Sequence, residues 1–348
     1  MNSIIGEKMK KLSIYIFILT TVLLLSHNHL QAQAKYGTSA APFLGISIGP
    51  MGQAMGGSYV SYGRDATALY WNPGAISRTE KSQLYISNTD WFLDTQYNWM
   101  GILVNLGHMG TLGLQMAYLD YGEEERTTVE DQDGTGERWS ASDLFATISY
   151  ARNLTDRFSM GGSLKMIQQR IYNESATGYA VDIGLLYITR FRGMRMGMSI
   201  SNFGTKMQMD GKDLLHPYDQ DPDQYGNNST ITSKLNTARW PIPLIFRVGI
   251  SIEALQMENN TISISSDAVV PSDNTTIMNA GAEYAFKQIF FLRGGYQSLL
   301  REDTQDGWSF GLGVKYFVPG LSEIQIDYSF MDYGIIDDIH TVGFGVSF

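Results

Sequence analysis

A two-residue alternation recurs along most of this chain, and no other feature limits its possible folds so tightly. In the last ten residues His340, Val342, Phe344, Val346 and Phe348 alternate with Thr341, Gly343, Gly345 and Ser347. One face is apolar and the other small and polar, the period of a strand whose two faces meet different surroundings. Phe310, Leu312, Val314 and Tyr316 alternate with Ser309, Gly311, Gly313 and Lys315 in the same way. So do Ile324, Ile326, Tyr328 and Phe330 with Gln325, Asp327 and Ser329. The pattern returns at 244–252 and at 179–187, where Leu186 and Ile188 blur its end.

Read throughout, it predicts strands at 82–91, 97–107, 109–121, 138–151, 157–171, 176–190 and 194–203, then at 243–253, 260–270, 275–286, 289–300, 307–318, 321–333 and 339–348. Their lengths suit tilted strands that cross a bilayer in about ten residues. The joins supply a second test. Those on the side holding both barrel ends are short: 107–108, 152–156, 191–193, 254–259, 287–288 and 319–320. The opposite side holds the longest joins, 122–137 and 204–242. Short turns on one side and long loops on the other are the habit of outer-membrane barrels. Composition agrees, with 36 glycines, 20 tyrosines and 16 phenylalanines but only 17% charged residues. The expected fold is all-β, a 14-stranded antiparallel transmembrane β-barrel with an N-terminal lumenal plug. A soluble sandwich or propeller is the rival, but its strands are usually shorter and no blade-length repeat is present.

The chain start predicts export. Lys8, Lys10 and Lys11 precede an apolar run from Leu12 to Leu25, then Ala32-Gln33-Ala34 offers a small-x-small cleavage site. That is the layout of a signal peptide, with an apolar run too short to anchor as a helix. The expected domains are therefore a signal peptide at 1–34, a plug at 35–81 and a barrel at 82–348. Localisation follows as the outer membrane of a Gram-negative bacterium, with its lipid as the first partner. Without residues 1–34 the formal charge falls from −10 to about −12, which argues against nucleic acid as a partner. The absence of cysteine excludes disulfides and thiol chemistry.

Residues 35–81 lack the alternation and are rich in glycine and small side chains. Asp65 to Tyr70 reads as one short helix that stops ahead of Pro73, and Asn72-Pro73-Gly74 as a tight turn. The run from Ala41 through Met55-Gly56-Gly57, followed by Asp65-Ala66-Thr67-Ala68-Leu69-Tyr70-Trp71-Asn72-Pro73-Gly74, resembles the PorV/PorQ family of outer-membrane proteins. That family belongs to the wider FadL-like superfamily of fourteen-stranded barrels with an N-terminal hatch. Its usual pattern is Asn-Pro-Ala, where this chain has Gly74. The resemblance implies Asp65, Ala66, Tyr70, Asn72, Pro73 and Gly74 as the plug motif. It implies two functions: binding of a translocon or cargo protein in type IX secretion, or passage of a hydrophobic small molecule. The first is the leading expectation and the second its alternative, because both groups share the motif. A purely structural barrel is the fallback.

The site residues are read with a bland and a functional meaning side by side. Alternation points Asp143, Lys165, Asp182, Arg247, Glu253, Asp267, Glu283, Arg293, Lys315 and Asp327 into the lumen. Mixed signs favour paired ladders that brace the wall over an ion-selective path, since unpaired buried charge is costly. Trp240, Pro241 and Pro243 close the longest loop and form a candidate partner site, an aromatic beside rigid prolines. Trp91, Trp99, Tyr118, Tyr121, Tyr150 and Tyr187 are expected in interfacial girdles. Glycines at 161–162 and 294–295 are candidate kinks for a lateral opening. The acidic loops Glu123–Glu125 with Asp131, Asp133 and Glu137, and Asp210 with Asp213, Asp219, Asp221 and Asp223, match no EF-hand spacing. No metal or other cofactor is expected. His108, His216 and His340 form no triad with neighbouring acids or serines, so no enzyme is expected either.

Overall fold

A computed structural model describes residues 35, 37–219, 221, 223, 230–299, 301, 307–319, 322–335 and 337–348. The expected signal peptide, residues 1–34, lies outside the described residues. The first seven strands are β1 (Gln83–Asp90), β2 (Gln96–Asn105), β3 (Thr111–Glu125), β4 (Arg138–Asn153), β5 (Phe158–Ile171), β6 (Glu174–Ile188) and β7 (Arg195–Gly204). A long extracellular excursion carries β8 (Lys206–Gln208), β9 (Asp210–Gly211), β10 (Leu215–Tyr218), β11 (Ile231–Lys234) and β12 (Arg239–Pro241). The wall then resumes with β13 (Ile245–Gln256), β14 (Asn260–Pro271), β15 (Ile277–Phe286), β16 (Phe290–Tyr296), β17 (Trp308–Val318), β18 (Ser322–Asp332) and β19 (Asp338–Ser347).

Among the described residues, β1–β7 and β13–β19 form one closed antiparallel barrel of 14 strands. Each strand pairs with its sequence neighbour, β7 pairs with β13, and β1 closes on β19 from Gln83↔Ser347 to Asp90↔His340. Closure leaves no unpaired edge, which a strand cannot tolerate in hydrocarbon. Outward positions carry the large apolar side chains, among them Ile148, Leu164, Phe310, Leu312 and Val342, all exposed. Inward positions are buried. Strands β3 to β6 run to 14–16 residues, longer than a crossing needs, so this sector rises above the membrane on the long-loop side.

Residues 41–79 pack on the inner face of this wall. Ala40 N–H donates to Pro241 O at 2.8 Å and Ala41 N–H to Gln169 Oε1 at 2.9 Å, both at the extracellular end. Arg78 donates to Asp156 O at 2.8 Å and to Ser159 Oγ, both at the short-turn end. The segment thus runs the length of the barrel. Close approach replaces regular structure along it. A Cβ on Gly295 of β16 would lie 2.1 Å from Gly56 N, and Gly56 itself has a left-handed φ of +64°. Only glycine lets the two backbones meet there.

Two expectations about the wall need correction. The ladders through Gly161–Gly162 and Gly294–Gly295 are unbroken, so neither pair is a kink. Those glycines instead admit the N-terminal backbone, Gly161 against Pro73 O and Gly295 against Gly56. The register shifts at Asp120/Glu123, Val181/Ile183 and Glu253/Leu255. Trp99 is also misassigned: it points inward, is buried, and donates from Nε1 to Gln115 Oε1 at 2.9 Å. A 101-position glycine beneath its ring makes room for that side chain.

Candidate functional site

The motif at 65–74 folds as a braced turn. Asp65 is buried and accepts from Tyr59 Oη at 2.6 Å, Thr67 N at 2.6 Å and Thr67 Oγ1. Its carboxylate claims the Thr67 amide in an Asx-type turn, so the helix begins at Ala68 and ends at Trp71, later than 65–70. Burial lifts the Asp65 carboxyl above its ordinary range, and the Thr67 and Tyr59 hydrogen bonds draw it back. Ala66 is fully buried beside it. Asn72 donates from Nδ2 to Val60 O at 2.8 Å and Leu185 O at 2.9 Å, tying the segment to β6. Pro73 packs against Gly161. A Cβ on Gly74 would sit 2.4 Å from Gly184 O, so the departure from Asn-Pro-Ala fits this wall.

The inward charges fall into separate groups. Arg293 bridges Glu283 at 2.7 Å and Asp327 at 2.6 Å, and all three are buried. Tyr62 donates to Glu283 and Tyr85 to Asp327, so no lone carboxylate remains in that group. Asp267 accepts Val60 N at 2.8 Å. Arg247 lies over the Tyr70 ring at 5.1 Å and donates to Tyr70 Oη at 3.2 Å. Glu253 and Lys315 sit lower, at the short-turn mouth, where they pair with Arg64 and Glu323 at 2.7 and 3.4 Å. Lys165 pairs with Asp182 at 2.8 Å on the opposite wall. Only Asp143 stands apart, near the extracellular end.

Sequence reasoning scored the inward positions for charge and missed an apolar sector. Leu119, Phe145, Ile167, Ala176, Ala180 and Leu186 all face inward from β3–β6 and are buried. They join Ala41 and Phe43 of the N-terminal segment, with Phe43 and Phe145 rings 6.2 Å apart, and Met207 and Ile242 of the excursion. Beside this sector the wall is irregular. Val181 pairs with Phe203 and Ile183 with Ile200, leaving Asp182 opposite two residues of β7. Asn202 takes a left-handed φ of +65°, its N–H donates to Asp182 Oδ1 at 2.7 Å, and its Oδ1 accepts Lys165 Nζ at 2.6 Å. Beyond Ser201↔Ile245 the ladder between β7 and β13 ends. A bulge of this kind re-aims side chains and marks a local weakness in pairing. Phe203 swings out to 70% exposure, and a groove of about 730 Å³ opens on the outer face between Leu114, Ile148, Leu164, Tyr179, Val181 and Phe203.

A second cavity, about 370 Å³, lies at the extracellular mouth between Tyr121, Trp139, Ile171 and Met209, with Asp143 and Gln169 among its lining. The bulge at Asp120/Glu123 is the local cause, since it turns Tyr121 over the lumen to donate to Asp143 Oδ2 at 2.9 Å. Tyr121 is therefore no lipid-facing girdle residue. The neighbouring loop site also changes. Trp240 is exposed, but Pro243 is buried and its carbonyl accepts Asn202 Nδ2 at 3.1 Å, so the proline pair is not a free docking face. His108 lies in the β2–β3 turn, His216 in β10 and His340 in β19, and among the described residues no three acidic or histidine side chains gather for a metal.

No protein-family model and no curated protein matches the chain, but solved structures do. The CymD monoaromatic hydrocarbon channel superposes with a TM-score of 0.55 at 13% identity, covering 87% of this chain and 98% of CymD. The Pseudomonas putida toluene transporter TodX gives 0.53 at 12% identity, over 87% and 99%. The Ralstonia pickettii toluene transporter TbuX gives 0.51 at 12%, over 87% and 98%. The fold is the 14-stranded outer-membrane barrel of these structures. At such identities the likeness is one of fold: it agrees with a barrel of the outer membrane and carries nothing specific to PorV/PorQ proteins.

Proposed function

We propose that this protein passes small hydrophobic molecules across the outer membrane. The observation that carries the reading is the continuity of the apolar inner sector with the bulged wall. It starts beneath the extracellular mouth cavity, follows Phe43, Phe145 and Ile167, and ends at Asp182 and Asn202. The groove on the other side of that wall is apolar and faces lipid. A hydrophobic solute gains free energy by leaving water, about 25 cal/mol for each Å² of apolar surface covered. It gains nothing from re-entering water at the periplasmic end. Residues 41–79 lie close against the inner wall, which supports reading them as a plug of the central axis, and on that reading the favoured exit is sideways through the β6–β7 seam into the bilayer. Opening requires the Asn202 contacts to separate and the pairing at Val181↔Phe203 to loosen. Toluene-like hydrocarbons, which the superposed transporters are named for, are suitable test solutes.

The rival function, a PorV/PorQ-like accessory that binds a translocon or cargo protein, has one observation in its favour, the exposed Trp240 beside the mouth. Uptake separates the two. Cells expressing the protein should take up radiolabelled toluene several-fold faster than cells lacking it, with no gain for a sugar of similar size. Equal toluene uptake with and without the protein, together with stoichiometric co-purification of a large translocon subunit, would overturn the channel and support the accessory.

A further inference from the structure

The mouth cavity has a chemistry that the rest of the apolar route lacks. Asp143 is buried at its base, and no lysine or arginine pairs with it among the described residues. Its donors are neutral: Tyr121 Oη at 2.9 Å on Oδ2, and Gln169 Nε2 at 3.1 Å on Oδ1 and 3.2 Å on Oδ2. Every other buried inward acid of the barrel wall receives a cation or a backbone amide. A carboxylate offers about four acceptor positions, so capacity remains for a further donor. Tyr121 and Trp139 share the cavity lining with it, as does Glu124. Arg170 also lines the cavity, and its Nε is engaged by Tyr172 O at 3.2 Å. The β3–β4 hairpin overhead, residues 123–138, holds seven acids against Arg126 and Arg138. Those two arginines are already paired with Glu137 and Glu123.

We propose that the mouth cavity is a selectivity site for hydrophobic amines, binding a protonated arylalkyl ammonium between the Asp143 carboxylate and the rings of Tyr121 and Trp139. The assignment rests on the channel function proposed above and adds its substrate class. Three effects act in one direction. The acidic hairpin raises the local concentration of cations at the mouth. An ammonium over an aromatic face is attracted by the ring quadrupole. A charge-assisted hydrogen bond to Asp143 then fixes the head, while the apolar tail lies against Ile171 and Met209. A carboxylate meets the opposite of each. The bound head also lies next to Gln169, whose Oε1 holds Ala41 N–H at the top of the apolar sector, so the site borders the route.

The test uses the full-length protein purified in a non-aromatic detergent, with calorimetric titration of three matched probes and an empty-micelle control. The probes are 2-phenylethylamine, ethylbenzene and phenylacetate at pH 7. The amine should bind about tenfold more tightly than ethylbenzene, a difference of about 1.4 kcal/mol, and phenylacetate more weakly than both. Asp143→Asn should bring the amine to within about threefold of ethylbenzene and leave ethylbenzene unchanged. Trp139→Leu, at a partly exposed wall position, should weaken the amine several-fold, and the wild-type series decides the matter alone if Asp143→Asn fails to fold. Ethylbenzene binding with no preference for the amine overturns the selectivity site and leaves the channel standing. No binding by any probe, with no toluene uptake by cells, overturns both.

Discussion

Along β13–β19 the inward side chains are mostly serine, threonine and charged groups, while along β2–β6 they include Tyr97, Trp99, Leu103, Phe145 and Ile167. The same N-terminal segment meets both halves and is held differently by each. Against the polar half it is anchored by directed bonds: Ser329 Oγ to Gln53 Oε1 at 2.9 Å, Ser309 Oγ to Ala54 O at 3.1 Å and Ser265 Oγ to Ser58 O at 2.8 Å. Against the apolar half it is packed through Phe43, Leu69 and Ile76, and most of its directed bonds there gather toward the short-turn end, through Asn72 to Leu185 O, Ser77 to Asn153 and Arg78 to Ser159. Hydrogen bonds set one position and resist sliding, whereas apolar contacts are non-directional and can be exchanged for a hydrophobic solute. The difference assigns passage to the stretch around Phe43, Phe145 and Ile167, and anchoring to the polar half and the short-turn end.

The largest expected effect lies in the polar half. Arg293→Leu leaves Glu283 and Asp327 buried without their cation, which should cost about 3–5 kcal/mol, measured as a lower urea midpoint for unfolding in detergent. If the loss is under 1 kcal/mol, the ion triad is not the anchor. In the apolar half Phe145→Ala removes a fully buried ring beside Phe43. It should lower stability by about 3 kcal/mol yet raise toluene uptake, because the ring narrows the route. Reduced uptake in a folded Phe145→Ala protein would mean that the sector is a packed core and no passage. Ser309→Ala is milder, with an expected loss of about 1 kcal/mol and unchanged uptake. Smallest of all, Trp240→Ala should shift stability by less than about 0.5 kcal/mol and leave toluene uptake intact. A selective loss of partner proteins on purification would instead revive the accessory role.

These contrasts also explain what was legible in the amino-acid order. Strand positions were, because each wall residue faces either lipid or interior and the alternation records that choice directly. The apolar inner sector left a trace as well: Leu186 blurred the alternation in 179–187 because it is an inward apolar residue. Charge alone was too narrow a criterion for the inner face. The bulges were not legible. Nothing local marks Asn202 as left-handed; its conformation is set by Asp182, Lys165 and Pro243, which come together only after the barrel closes. Glycines drew attention as flexible points, yet Gly161, Gly184 and Gly295 are sites of close backbone approach to the N-terminal segment. The motif at 65–74 is a turn whose bonds are internal to the N-terminal segment or directed to wall strands β3, β6, β7 and β13, so it says nothing about cargo or substrate.

The central claim, passage through the apolar half and out by the β6–β7 seam, can be tested by closing that seam. Val181 and Phe203 are direct cross-strand partners on the outer face, and the chain has no cysteine of its own. Directly opposed residues of this kind lie within range of a disulfide. In Val181→Cys/Phe203→Cys protein reconstituted into vesicles, oxidation should reduce toluene transfer several-fold and reductant should restore it. Transfer at the same rate in the oxidised and reduced forms would contradict the lateral route.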